Sequence, residues 1–227
     1  MLVSLWVGVA SHQLVGFFSG GLVGSLATAW SLLRDDVPSY LQSWHRGEEG
    51  ERRTRQVLAE LGWQFVEDVD CGRGNYDHLL AGPPGVFMLE TKNLTGIVEI
   101  REGTPWLRRR HDPEGEKCLA DIAKQALRNS AIVHNEIERR GAGWHWVKAI
   151  VVFWSEIPQG VVEGDKIVYL HGSKLRDWIM SKAHKLDPAD IATVAGALAS
   201  LKAEGEIRAQ QRHSEGSVAT SQSVLSP

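Results

Sequence analysis

The stretch Tyr76-Asp77-His78-Leu79-Leu80-Ala81-Gly82-Pro83-Pro84-Gly85-Val86-Phe87-Met88-Leu89-Glu90-Thr91-Lys92 decides the fold. Two apolar runs flank a Gly-Pro-Pro-Gly segment. They read as strands, Tyr76 to Ala81 and Val86 to Lys92, joined by a four-residue loop of a kind that hairpins use. With Ala81 opposite Val86, counting back along both strands sets Asp77 opposite Glu90. Opposed residues share a face of the sheet, with β-carbons about 5 Å apart. Lys92 lies two residues beyond Glu90 and so points the same way. Gly85 to Leu89 is almost wholly apolar, which reads as a buried strand. Charges at the end of such a strand are costly unless something compensates them.

Two close carboxylates repel each other unless a cation lies between them. Oxygen ligands with open positions suit Mg²⁺ or Mn²⁺. A metal held this way binds a phosphate oxygen and lowers the pKa of a bound water. Lys92 would position that water or neutralise developing negative charge. The set suits phosphodiester hydrolysis. The plainer reading is a solvated strand face with a cross-strand charge pair, and the buried strand before Glu90 weighs against it.

Outward from the hairpin, helical and strand patterns alternate as in an α/β protein. Gly47 to Leu61 reads as a helix ended by Gly62, and Trp63 to Val69 as a strand. Ile97 to Arg101 and Pro105 to Arg110 read as further strands. Ala120 to Arg139 reads as a helix, Val147 to Trp154 as a buried central strand, and Lys166 to Leu170 as a short strand. Leu175 to Ser181 and Pro188 to Ala203 read as helices, the second capped by Asp187. The polar segment 204–227 reads as a disordered tail. The predicted organisation is 1–33 an anchor, 34–46 a connector, 47–203 the main domain and 204–227 the tail.

The first 33 residues carry no Asp, Glu, Lys or Arg. Leu14 to Leu33 is long enough to span a bilayer. Trp6 and Trp30 bracket a helix of about 36 Å, which suits interfacial anchors. The alternative is a signal peptide cleaved near Ala27-Thr28-Ala29. No Lys or Arg precedes the apolar run, which argues for the anchor. Arg34, Arg46, Arg52, Arg53 and Arg55 follow the span, so the positive-inside rule makes it a single pass with a cytoplasmic main domain. Gly16, Gly20 and Gly24 form a small-xxx-small face that suits helix self-association, although glycine is also common in spanning helices.

Of the 227 residues, 43% are hydrophobic, which excludes wholesale disorder. The net charge of −3 excludes a bulk basic field, so nucleic-acid contact must come from a local patch. Cys71 and Cys118 are too few for a disulfide framework. His78 points away from Asp77 and reads as a packing residue, not a ligand. Arg108-Arg109-Arg110-His111 reads as a solvated hairpin end or a phosphate contact. Trp63, Trp106, Trp144, Trp146 and Trp154 read mostly as packing, with base stacking as the alternative.

Gly47-Glu48-Glu49-Gly50-Glu51, Tyr76-Asp77-His78, Gly85 through Asn93, and Gly96 together resemble the nuclease-related domain (NERD) family, grouped with the PD-(D/E)XK nucleases. The resemblance runs from about Trp44 to Trp178. It also takes in Trp106, Gln125 and Val151-Val152-Phe153. It implies a restriction-endonuclease-like central mixed sheet flanked by helices, here preceded by the transmembrane helix. It implies Asp77 and Glu90 as metal-binding acids, the Thr91 carbonyl as a further ligand, and Lys92 as the catalytic lysine. Glu51 matches the upstream acid of such sites, and Gln125 the glutamine that orders them. Tyr76 stands where the superfamily name has proline. The expected activity is Mg²⁺- or Mn²⁺-dependent cleavage of DNA or RNA. The alternatives are a non-catalytic nucleic-acid-binding module and a membrane adaptor.

Overall fold

A computed structural model describes residues 39–70, 75–109 and 112–223. The hairpin forms with the expected register. Strand β2 (Asn75–Gly82) runs antiparallel to β3 (Gly85–Lys92), with Ala81 opposite Val86 and His78 opposite Leu89. Gly82 and Gly85 also pair, so the turn is the two residues Pro83-Pro84 and not the expected four. Proline lacks an amide hydrogen, and here that suits both residues to a turn.

Strand β1 (Phe65–Asp70) pairs antiparallel with β2. On the other side of β3 lies β7 (Val147–Phe153), parallel to it, followed by β9 (Ile167–His171), parallel to β7. Strand β8 (Val161–Glu163) closes the edge, giving a mixed six-stranded sheet of order β1-β2-β3-β7-β9-β8. With neighbours on both sides, β3 and β7 are buried over almost their whole length, which explains their unbroken apolar runs. Strands β4 (Ile97–Arg101), β5 (Thr104–Arg109) and β6 (Asp112–Cys118) form a separate antiparallel sheet. Gly96 leads into it at φ +138°. An added β-carbon there would lie 2.5 Å from the Arg108 carbonyl oxygen, so only glycine fits.

Alternate residues of the large sheet face two different layers. Leu79, Ala81, Val86, Met88 and Val151 pack with Ala126, Val133 and Ile137 of helix α2 (Ala120–Arg139) and with Val194, Leu198 and Leu201 of helix α4 (Pro188–Ser223). Leu80, Phe87, Leu89, Ile150 and Val152 pack with Leu58 of helix α1 (Ser39–Glu60) and with Leu175, Trp178 and Ile179 of the short helix α3 (Leu175–Met180). The molecule is therefore a mixed α/β protein with a central sheet flanked by helices. A buried leucine such as Leu79 or Leu89, truncated to alanine, costs about 2–5 kcal/mol.

Three expectations need correction. The connector expected over 34–46 gives way to helix from Ser39, eight residues before the expected start at Gly47. Helix α4 runs on to Ser223, where the sequence reading ends it at Ala203 and begins a disordered tail. Contacts explain its continuation: Glu204 pairs with Arg140 at 2.6 Å, and Arg208 donates to the Asp70 carbonyl at 2.6 Å. Strands β6 and β8 were not expected. The first is polar, with Pro113 and Gly115, and the second is only three residues long. The expected spanning helix within residues 1–33 lies outside the described residues. Among those described, no helix is long and apolar enough to cross a membrane.

Candidate active site

Asp77 on β2 and Glu90 on β3 meet where their ladder ends. Beyond the pair His78–Leu89, the Thr91 amide donates to Asp77 Oδ2 at 2.6 Å. One oxygen of Asp77 is thereby fixed by the neighbouring strand. Lys92 Nζ donates to Glu90 Oε1 at 2.6 Å, and Gln125 Nε2, from helix α2, donates to the same oxygen at 3.2 Å. Only 2% of the Glu90 side chain is exposed, and its other oxygen, Oε2, is buried with no hydrogen-bond partner. A buried acceptor left unpaired costs about 1–3 kcal/mol or more, and such an atom in a native fold calls for a ligand or water.

The electrostatics match the geometry. Burial, then the charge of Glu90, pushes Asp77 up to about 7, against the opposing pull of Lys92 and the Thr91 amide. Burial pulls the Lys92 ammonium down, but Glu90 and Asp77 outweigh it and hold its pKa above the ordinary value. Lys92 thus stays cationic, with two of its three protons still available beyond the one on Glu90.

Glu51 arrives from helix α1 on the far side of the sheet. That helix crosses the end of β3 closely. A β-carbon at Gly50 would lie 3.0 Å from the Asn93 β-carbon and 3.3 Å from Thr91 Cγ2. One turn on, Thr54 Oγ1 accepts from Thr91 Oγ1 at 3.1 Å and from Trp154 Nε1 at 3.0 Å. Half-buried there, Glu51 is raised above the usual carboxylate range by burial and then by the charge of Asp68. Its own charge in turn raises Asp77.

Asp68 was missed by sequence reasoning. The β1–β2 register sets Glu67 opposite His78 and Val69 opposite Tyr76, so Asp68 falls level with Asp77. Its backbone is in the left-handed region at φ +51°, which a non-glycine residue adopts rarely. Asn75 donates to its carboxylate. Positive φ at an aspartate leaves no mark in the sequence.

Two carboxylates, one with an unpaired buried oxygen, suit a hard divalent cation in chemistry and in charge. Among the described residues no three of His, Cys, Asp and Glu converge tightly enough to hold a metal ion by themselves. A cation here would take its remaining ligands from backbone carbonyl, water and substrate, as Mg²⁺ commonly does.

The remaining candidates fall on the plainer side. His78 is buried on the opposite face, and burial lowers it to about 4. Arg108 pairs with Glu99 at 3.1 Å, within a charge ladder that includes Arg101 and Glu116. Trp63 covers Gly82, and Trp154 covers Gly172. Trp144 and Trp146, expected to pack, are instead exposed. Cys71 lies outside the described residues, and Cys118 is an exposed free thiol.

Residues 46–154 match the family model described as nuclease-related domain. The matched stretch runs from helix α1 to the residue after β7 and contains Glu51, Asp77, Glu90, Thr91, Lys92 and Gln125. No curated protein and no solved structure matches the chain.

Proposed function

We propose that the chain, which carries a nuclease-related domain at residues 46–154, hydrolyses phosphodiester bonds of DNA or RNA with a divalent cation at Asp77 and Glu90. The observation that carries this reading is the buried, unpaired Oε2 of Glu90 beside a raised Asp77 and a cationic Lys92. Asp77 and Glu90 would hold Mg²⁺ or Mn²⁺, with the Thr91 carbonyl as a further ligand. When bound, the cation supplies charge neutralisation and a more acidic water. Gln125 and Lys92 fix the Glu90 carboxylate by holding its Oε1, which leaves Oε2 as the oxygen that would hold the cation. The free protons of Lys92 face the negative charge that builds on the phosphate. Glu51 and Asp68 add negative charge on the β1 side and favour a bound cation over a bare site.

We further infer that residues 1–33 anchor the domain to a membrane on the cytoplasmic side, from the uncharged N-terminal run and the arginines after it. The glycine face Gly16, Gly20 and Gly24 would allow the anchors to pair. A second reading has one observation in its favour: among the described residues no three of His, Cys, Asp and Glu converge to hold a metal ion. A domain that binds nucleic acid without cutting it, or serves as a membrane adaptor, needs no such cluster.

The test is cleavage of labelled single- and double-stranded DNA and RNA by the full chain in detergent, with Mg²⁺, Mn²⁺ or EDTA. Metal-dependent cleavage is expected. It should be lost in Asp77→Ala and fall roughly 10²–10³-fold in Lys92→Ala. Gln125→Ala, which loosens a group that orients a ligand, should cost about 10–100-fold. Binding without cleavage of any substrate would move the conclusion to the second reading.

A further inference from the structure

Parallel strands β3 and β7 enter the sheet at one end and leave it at the other. The acids and Lys92 stand at the exit. The entry end carries a cleft of about 420 Å³, whose lining includes Phe87, Trp144, Trp146, Trp178, Lys182 and Lys185. That volume is in the range of small-ligand sites.

Trp144 is 66% exposed and Trp146 49%. Their rings are nonetheless held. The His134 ring stands edge-on to Trp144 at 5.3 Å between centroids and lies 6.3 Å from Trp146. His134 Nδ1 in turn bonds the His145 carbonyl at 2.7 Å. The Lys166 ammonium sits 6.0 Å from the Trp146 ring centroid. Adjacent exposed indoles present apolar surface that is unfavourable to hydrate, and a ligand that covers it removes that cost. The cleft wall is cationic on balance: Lys148, Lys182 and Lys185 face Glu163 and Asp165. Lys148 is bound to the carbonyls of Gly164 and Asp165, and Lys182 pairs with Glu163, while Lys185 is exposed.

We propose that this cleft binds a nucleobase with its adjoining phosphate, the base stacking on Trp144 or Trp146 and the phosphate lying at Lys185 and Lys182. Every base offers a π-face to an aromatic ring, and lysines beside the rings track the backbone. The choice of ligand rests on the nuclease reading. A strand held here is a second contact for a substrate whose reacting phosphate lies at Asp77 and Glu90. Val86 and Glu90 are four residues apart on β3, or about 13 Å at about 3.3 Å per residue. Tryptophan with lysine also anchors proteins at lipid headgroups. One observation opposes that occupant: the rings border a recess instead of a protrusion.

The test is equilibrium binding to the full chain in detergent and EDTA, so that no turnover occurs. The probes are an oligothymidylate, AMP, and glycerophosphoserine as the soluble phospholipid headgroup, followed by tryptophan fluorescence. The proteins are wild type, the W144A/W146A double variant, Lys185→Glu, and Ile207→Ala as an exposed apolar control, each checked for folding by circular dichroism. The double variant should bind the oligonucleotide at least about tenfold more weakly. Lys185→Glu should bind severalfold more weakly and with a shallower salt dependence. AMP captured by the same residues identifies a site filled by one nucleotide; the oligonucleotide alone identifies a strand contact. Either supports the proposal. No binding by wild type, unchanged affinity in the double variant, or a loss confined to glycerophosphoserine binding overturns it. Binding lost in the double variant while no substrate is ever cut would keep the cleft and remove the nuclease reading. Cleavage with an indifferent cleft would do the reverse.

Discussion

Asp77 and His78 are chain neighbours on opposite faces of β2, and burial drives both toward neutrality from opposite sides. Burial and Glu90 lift Asp77 from 3.8 to about 7, and burial lowers His78 from 6.5 to about 4. Between those limits the folded protein holds more protons than the unfolded chain at Asp77 and fewer at His78. The Asp77 contribution therefore makes stability fall as pH rises from about 4 to about 7. The His78 contribution is present above about 6.5 and is lost as pH falls toward about 4. The two slopes oppose each other. Metal-free wild type should show a shallow profile, Asp77→Asn a stability that rises with pH, and His78→Leu one that falls. Urea midpoints in EDTA from about pH 4 to about pH 8 read this directly, and three parallel profiles would refute it. At about pH 8, millimolar Mg²⁺ should stabilise wild type and leave Asp77→Asn nearly unmoved, as expected of a ligand bound only by the folded wild type.

The hairpin shows how far a sequence can be counted. Leu79, Leu80 and Ala81 leave little choice of strand, the two prolines mark the turn, and antiparallel pairing then sets Asp77 level with Glu90. Helix α2 was equally plain, because Ala126, Val133 and Ile137 recur at helical spacing. Gln125 therefore arrives on a legible element. What stayed hidden depends on tertiary contact. Strand β6 is polar and exists because β5 offers it a partner. The turns of α4 just past Ala203 have no apolar stripe to announce them and are held by Arg140 and Asp70. Asp68 reaches the site through a backbone conformation that no spacing rule shows. Helix α1 was expected, but its close crossing at Gly50 was not. Gly50→Val should therefore force α1 away from Asn93. The expected outcome is about 1–3 kcal/mol of destabilisation, together with a fall in cleavage from displacement of Glu51. Denaturation and turnover measured on the same preparation test both parts. Full activity with unchanged stability would show that the helix has room to spare.

At the scale of the whole fold, helix α4 lies along β1 and is tied by Lys202 and Arg208 to the strand beside the acids. Lys202 donates to the Glu67 carbonyl at 3.0 Å, and Arg208 to that of Asp70, on either side of Asp68. A β-carbon at Gly205 would lie 2.8 Å from the Asp70 carbonyl oxygen. Truncation after Ala203 removes Glu204, Gly205 and Arg208 and leaves buried Arg140 without that partner. It should cost about 1–3 kcal/mol in a chemical denaturation experiment. The loss should extend to cleavage, because the β1 acid would no longer be braced. A truncated protein as stable and active as the full chain would show that the last turns carry no weight.

The two-proline turn also makes the site a matter of parity. Asp77 lies five residues before Gly82, and Glu90 five after Gly85. One residue added to either arm would send the two acids to opposite faces, one toward α2 and one toward α1. Two residues added to one arm would restore the face but shift the pair by a whole step. Only matched changes in both arms preserve the meeting. The hairpin can therefore lengthen or shorten symmetrically while its sides stay in step, much as a zip closes only when its two rows of teeth start together.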